Sequence, residues 1–279
     1  MTSADQATGY SVFVDTMADM TYPEVEAAAR NGAVVFWALG VIEQHGPHLP
    51  LATDVYVPMA VLRGARRLLA ERGIESIIAP PFYWGVNAVS SDFPGSFKVR
   101  PAVMIELMKD VFATLAGDGF RRVFCLSGHG DAQHNRTIYD GIVAGCTAET
   151  LEGHFVLAPA MRDRLELPPE DPRLVSYEKA ASAAPRFLDI HAGESETSVL
   201  LAECVEACRC GIIPGLRPTN LTAEDLNLWR RGGRHALQVT PMGYFGDPAA
   251  ATAERGRELL RQNAAQVADA VERTLKAAA

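Results

Sequence analysis

Cysteine is sparse: the 279-residue chain has five. An odd, low count does not make a disulfide framework, and reduced thiols in the cytoplasm are expected. Cys204, Cys208 and Cys210 lack the second cysteine pair that a zinc site would need. Long apolar runs are missing, and none approaches the ~20 residues of a membrane span. Met1 to Tyr10 has neither a basic nor an apolar stretch, so no secretory leader is expected there. Positive charge is in deficit, with 26 Lys and Arg against 34 Asp and Glu and a formal charge of -8. That balance argues against broad binding to nucleic acid or to an anionic membrane. No Gly-x-Ser-x-Gly elbow occurs, and Gly193-Glu194-Ser195-Glu196 misses it. No Gly-Lys-Ser/Thr follows the glycines of 40–46, which excludes a phosphate loop.

What is present reads as one α/β domain over 1–279, with a mostly parallel sheet and helices on both faces. The run 33–39, Ala-Val-Val-Phe-Trp-Ala-Leu, is apolar throughout, as a strand buried on both faces should be. Further short strands are expected at 76–79, 122–126 and 154–157. Helices are expected from Thr53 to about Arg72 with Gly73 as the stop, from Pro101 to about 117, over 133–146, over 194–204 and over 252–276. Strands alternating with helices imply parallel pairing with right-handed crossovers. The Pro- and acid-rich stretch 165–172 reads as an excursion over the surface, and the segment 82–100 as a long loop.

Open α/β sheets bind ligands beyond the carboxyl ends of their strands. Dense polar segments follow the first and third expected strands, at 40–54 and 127–135, and a third at 189–198 leads into a helix. Glu43 and His45, two apart in extended backbone, project to one side. Asp54 lies at a helix start, where backbone N–H groups keep a carboxylate ionised. This mixed nitrogen and oxygen set suits Zn, Mn or Fe better than Ca or Mg. With His129 and a nearby acid there are donors for two ions, which can share and acidify a water. Asp54 is the candidate to reach both. Asp131 is open between ligand and helix cap. His134 and Asn135 read as helix caps, and His48 as a residue that orients the loop. Phe82, Tyr83 and Trp84 are open between a pocket wall and core or subunit contact. The cluster Arg230-Arg231-Gly232-Gly233-Arg234-His235 reads as a solvated or subunit-contact surface, with an anion site as the other reading.

The stretch 43–54, Glu-Gln-His-Gly-Pro-His-Leu-Pro-Leu-Ala-Thr-Asp, closely resembles the metal-site motif of the creatininase (creatinine amidohydrolase) family. Asp92-Phe93-Pro94-Gly95-Ser96, the run from Asp189 through His191-Ala192-Gly193 to Glu196-Thr197-Ser198, and Gly246-Asp247-Pro248 with 251–254 resemble its other motifs, in the same order. The resemblance implies a dinuclear-metal hydrolase assembled as a homo-oligomer such as a hexamer. Glu43, Asp54 and His129 would hold one ion, and His45 and Asp54 the other. Asp131 stands where creatininase has a glutamate that completes the coordination of the second ion, and it is one methylene shorter. His191 matches the acid/base histidine, and Glu196 matches either a ligand or a partner of one. Val89-Ser90 replaces a Glu-His pair common in relatives, and the second motif is lengthened. The metal core is therefore kept while the substrate wall differs.

The expected function is metal-dependent hydrolysis at a carbonyl of a small polar, cyclic molecule, with a C–N amide bond favoured. The alternatives are hydrolytic C–C opening of a cyclic polyol ketone of inosose type, or an inactive binding or assembly protein on the same fold.

Overall fold

The computed structural model describes residues 11–147, 150–180 and 186–277; Met1 to Tyr10 lies outside them. Its strands are β1 (Val34–Leu39), β2 (Ser76–Ile78), β3 (Arg122–Ser127), β4 (Glu152–Leu157) and β5 (Leu174–Ser176). They form a five-stranded sheet ordered β2-β1-β3-β4-β5, and every pairing is parallel. The helices are α1 (Tyr22–Arg30), α2 (Thr53–Glu71), α3 (Pro101–Gly117), α4 (Ala132–Gly145), α5 (Pro159–Arg164), α6 (Glu194–Glu203), α7 (Ala223–Trp229), α8 (Arg234–Val239) and α9 (Ala253–Ala277). Among the described residues no helix is long and apolar enough to cross a membrane.

Alternation along β1 builds two cores. Val35, Trp37 and Leu39 point into a cluster with Met104, Phe112 and Ile138 of α3 and α4. Val34, Phe36 and Ala38 point into a second cluster with Leu62 of α2 and Val267 of α9. This is a single α/β domain, with the sheet covered on both faces as its unbroken apolar strands require. The stretch 165–172 does not simply run over the surface, since Leu167 is buried in the first cluster. It leads into β5.

Strand order reverses between β1 and β3, because β2 lies to one side of β1 and β3 to the other. The carboxyl ends of these two strands therefore open a crevice. The first turn of α2 closes its floor. Gly40 follows β1 and Gly128 follows β3, and a Cβ built on either would lie 2.3 or 2.0 Å from the carbonyl oxygen of Asp54. Only glycine at both strand ends lets the helix start this close. We expect Gly128→Ala to destabilise the fold by about 1–3 kcal/mol through overpacking. It should also lower metal content, because Asp54 must retreat. Chemical denaturation together with elemental analysis of the purified variant checks both.

Candidate metal centre

The crevice gathers side chains from four segments. Glu43 and His45 come from the loop after β1, Asp54 from α2, and His129 from the loop after β3. His191 and Glu196 come from the segment entering α6. Glu43, His45 and Asp54 are each no more than 2 % exposed. The Nε2 of His45 is 3.3 Å from Oδ1 of Asp54, and the Nδ1 of His129 is 2.9 Å from Oδ2 of the same carboxylate. The Nδ1 of His129 is also 3.1 Å from Oε1 of Glu43. Among the described residues, three groups have donor atoms mutually within 4.8 Å: Glu43, Asp54 and His129; His45, Asp54 and Glu196; and Glu43, His45 and His191. Asp54 belongs to the first two.

These residues fit metal ions on their own chemistry. Buried polar atoms almost always find a hydrogen-bond partner. Yet His45 Nε2, Asp54 Oδ2 and His129 Nε2 have none, although the first two sit in the cluster. Nδ1 of His45 donates to the carbonyl of Glu43 at 3.1 Å, which leaves the Nε2 lone pair facing Asp54 and Glu196. That is the tautomer a ligating histidine needs. Without a cation, protons take its place. Burial pushes His45 down, but the charges of Asp54, Glu196 and Glu43 outweigh it and hold it at about 9. Burial likewise opposes charging of His129, and Glu43 and Asp54 still raise it well above its ordinary value. Asp54, which burial alone would raise, is held well below the carboxylate range by the two imidazoles. A cluster that traps this much positive charge as protons is built for cations.

The surrounding shell holds the ligands in place. Ser90 donates a short hydrogen bond to Oε2 of Glu43, and Asn87 donates to Ser90 at 2.9 Å. Ser96 accepts from the backbone N–H of Gln44 at 3.0 Å, so the 92–96 motif buttresses the first ligand segment. Neither Ser90 nor Asn87 carries a ligand signal of its own; the only hint in the sequence is their place in a wall that departs from the family pattern. Removing the hydroxyl leaves a buried carboxylate oxygen without its donor. Ser90→Ala is therefore expected to weaken metal binding about 10–100-fold, as read by chelator competition.

His48 is neutral. Burial first, then the charge of His45, lowers it to about 4, and its Nε2 meets the Thr197 hydroxyl of α6 at 2.9 Å. His134 is lowered to about 3, by burial and then by His129, against whose ring it packs edge-on. Asn135 does not cap α4. It donates to the carbonyls of His129 and Asp131, both at 2.7 Å, and so ties the ligand loop together. Asp131 is the residue that caps this helix. Its Oδ1 accepts from the N–H of Gln133 at 2.7 Å and of His134 at 3.4 Å. Its Oδ2 accepts from Ala88 at 2.8 Å and Val89 at 3.1 Å. With both oxygens engaged and a short side chain, Asp131 belongs to none of the three candidate groups. Glu196 stands in the second group in its place.

His191 is held by an antiparallel bridge to Phe245, which leads into the C-terminal motif. Its Nε2 lies 2.8 Å from the carbonyl oxygen of Gln44. The side-chain amide nitrogen of Gln44 lies 3.1 Å from the same Nε2, so Gln44 engages that nitrogen from both its backbone and its side chain, while Nδ1 stands 3.7 Å from Oε1 of Glu43. Trp229 packs at 5.7 Å from the His191 ring and is anchored through Nε1 to Thr240.

Above the ligands lies a cavity of about 240 Å³. A second, of about 550 Å³, shares Lys179, His191 and Glu196 with it. Trp229, Arg164 and Arg230 line the first. Burial and the like charge of Arg230 push the Arg164 guanidinium down, partly offset by Asp131. Phe82 instead lies in the core, Trp84 is exposed against Phe97, and neither they nor Tyr83 line this cavity. All five cysteines are free, and none joins a candidate metal group among the described residues.

The family model "Creatininase: Creatinine amidohydrolase" matches residues 18–271. The chain belongs to the creatininase family. The mycofactocin precursor peptide peptidase of Mycobacterium ulcerans (strain Agy99) is 32% identical over 228 residues, covering 80% of this chain and 78% of that protein. The creatinine amidohydrolase of Pseudomonas putida is 30% identical over 138 residues, 47% of this chain and 49% of that protein. A crystal structure of creatininase superposes with a TM-score of 0.66 over 93% of this chain and 97% of its own, at 22% identity. With its clustered ligands, this family member is a metal-dependent hydrolase. Relatives bearing different names share the scaffold, so membership by itself does not carry the substrate.

Proposed function

We propose that this protein hydrolyses the C–N amide bond of a small polar molecule, using two divalent transition-metal ions. One observation supports this most: the two oxygens of Asp54 face two different imidazoles, at 3.3 and 2.9 Å. On this reading Glu43, Asp54 and His129 hold one ion. His45, Asp54 and Glu196 hold the other, with Asp54 between them. Zn, Mn and Fe all suit such donors. Ions bound there supply Lewis acidity toward the scissile carbonyl and toward a water molecule.

The remaining work falls to the chain. Glu43, fixed by Ser90, keeps its Oε1 toward both His129 and His191. His191, with Nε2 engaged by Gln44, offers Nδ1 to the reacting atoms. It takes up the proton released as water forms the new C–O bond, and gives it to the nitrogen as the C–N bond breaks. One water is consumed, and an acid and an amine leave. Trp229 covers the face of His191 and limits solvent there. Assembly as a homo-oligomer, a hexamer by the resemblance, forms part of the proposal and is read by light scattering.

The test is a substrate screen with Mn-reconstituted protein. Amine release from amides is expected. Ring-opened acid from inosose-type ketones, with no amine from any amide, would overturn the C–N assignment. Fewer than one tightly bound ion per chain would favour a binding protein.

A further inference from the structure

The cavity above the ligands is lopsided in charge. Its carboxylates lie on the metal floor or are already engaged: Asp131 caps α4, and Asp189 accepts from the N–H of Ser195 at 2.9 Å. Its cations are Arg164, Lys179 and Arg230. None of the three forms an ion pair among the described residues, whereas Arg162, two residues before Arg164, pairs with Asp163 at 2.7 Å. Arg164 donates one hydrogen bond, at 3.1 Å, to the carbonyl of Gly130 beside His129. A guanidinium has five N–H donors, so this bond anchors the group next to the ligand loop and leaves most of its donors for the cavity. Arg230 follows Trp229 at the end of α7, and so comes from a different part of the chain to the same cavity. Two unpaired guanidinium groups around one small cavity repel each other. An anion between them relieves that repulsion and accepts charge-assisted hydrogen bonds.

Resting on the amide-hydrolysis reading above, we propose that Arg164 and Arg230, with Lys179, form an anion-binding wall that selects substrates bearing a carboxylate or phosphoryl group beside the scissile amide. Arg164, anchored on the Gly130 carbonyl beside His129, places the anionic group close to the reacting carbonyl. A peptide's C-terminal residue or an N-acyl amino acid has this form: hydrolysis adds water across the C–N bond, leaving the acyl acid and an amine that retains the anion.

Three probes share one acetamide bond and differ at the other end: N-acetylglycine, N-acetylaminomethylphosphonate and the neutral isostere N-isobutylacetamide. Binding to the Mn-loaded full chain is measured by calorimetry, and acetate release is measured in parallel. At least one anion is expected to bind roughly 10–100-fold better than the neutral probe. Which anion binds more tightly identifies the group as carboxylate or phosphoryl. In the double variant Arg164→Gln/Arg230→Gln the ratio should fall toward one. Both residues are exposed, and a thermal melt confirms that the variant is folded. Equal binding of all three probes, or no binding of either anion, overturns the proposal. So does a preference that survives in the double variant, because the metal ions would then be the attractor. If the preference is present and lost on substitution while no probe releases acetate, the wall stands and the amide reading falls. Acetate release at equal efficiency from all three has the opposite meaning.

Discussion

Asp54→Asn is expected to bring metal content from two ions per chain to below one and to lower kcat/KM by about a thousandfold or more. The magnitude follows from the several kcal/mol that Lewis-acid stabilisation contributes, at about 1.4 kcal/mol per factor of ten. The substitution keeps the shape of the side chain and removes the carboxylate whose two oxygens meet the two histidines. The fold should survive. In the metal-free variant His45 loses its strongest reason to hold a proton, while His129 keeps Glu43 as a partner at 3.1 Å, so no buried charge is stranded. Elemental analysis and a thermal melt on the same preparation separate loss of ions from loss of structure. A variant that keeps two ions and most of its activity would remove Asp54 from the centre of the site.

His191→Ala is expected to do something different. Both ions should remain, while kcat falls about 10²–10⁴-fold, the range a positioned proton carrier contributes. His191 also shares a donor group with Glu43 and His45, so the outcome decides between two roles. Loss of an ion would make it a ligand. Retention of both, with kcat reduced and KM little changed, assigns it to proton transfer. The geometry favours the second outcome, because the Nε2 of His191 is occupied by the carbonyl and side-chain amide of Gln44 and its Nδ1 stands 3.7 Å from the nearest Glu43 oxygen. His45 Nε2, by comparison, has no hydrogen-bond partner.

Four strands and five helices could be read from the sequence, because each has a strong local cause. β1 is an unbroken apolar run, α2 ends before Gly73, and α3 begins on Pro101. What escaped was short or held by contacts from elsewhere. β5 has three residues, and α5, α7 and α8 have six or seven, too few to form without tertiary support. α1 did carry a signal, the capping box of Thr21 and Glu24 with a helix N-terminal proline, Pro23, inside it. At the site, the clustering of Glu43, His45, Asp54 and His129 was legible because one motif and one strand end carry them. The role of Asp131 was not, since a cap and a ligand want the same residue at the same position. Arg230 was visible only as part of a basic cluster, and Ser90, Trp229 and Arg164 reach the site from segments far apart in the chain. No spacing rule marks a residue that acts by arriving next to another.

Anomalous X-ray diffraction at the manganese edge, from crystals grown with Mn²⁺, tests the central claim most directly. Two peaks should appear, roughly 3.5–4 Å apart, with one oxygen of Asp54 on each. Glu43 and His129 should sit beside one peak, and His45 and Glu196 beside the other. A single peak, or two peaks that Asp54 does not join, would contradict the dinuclear account.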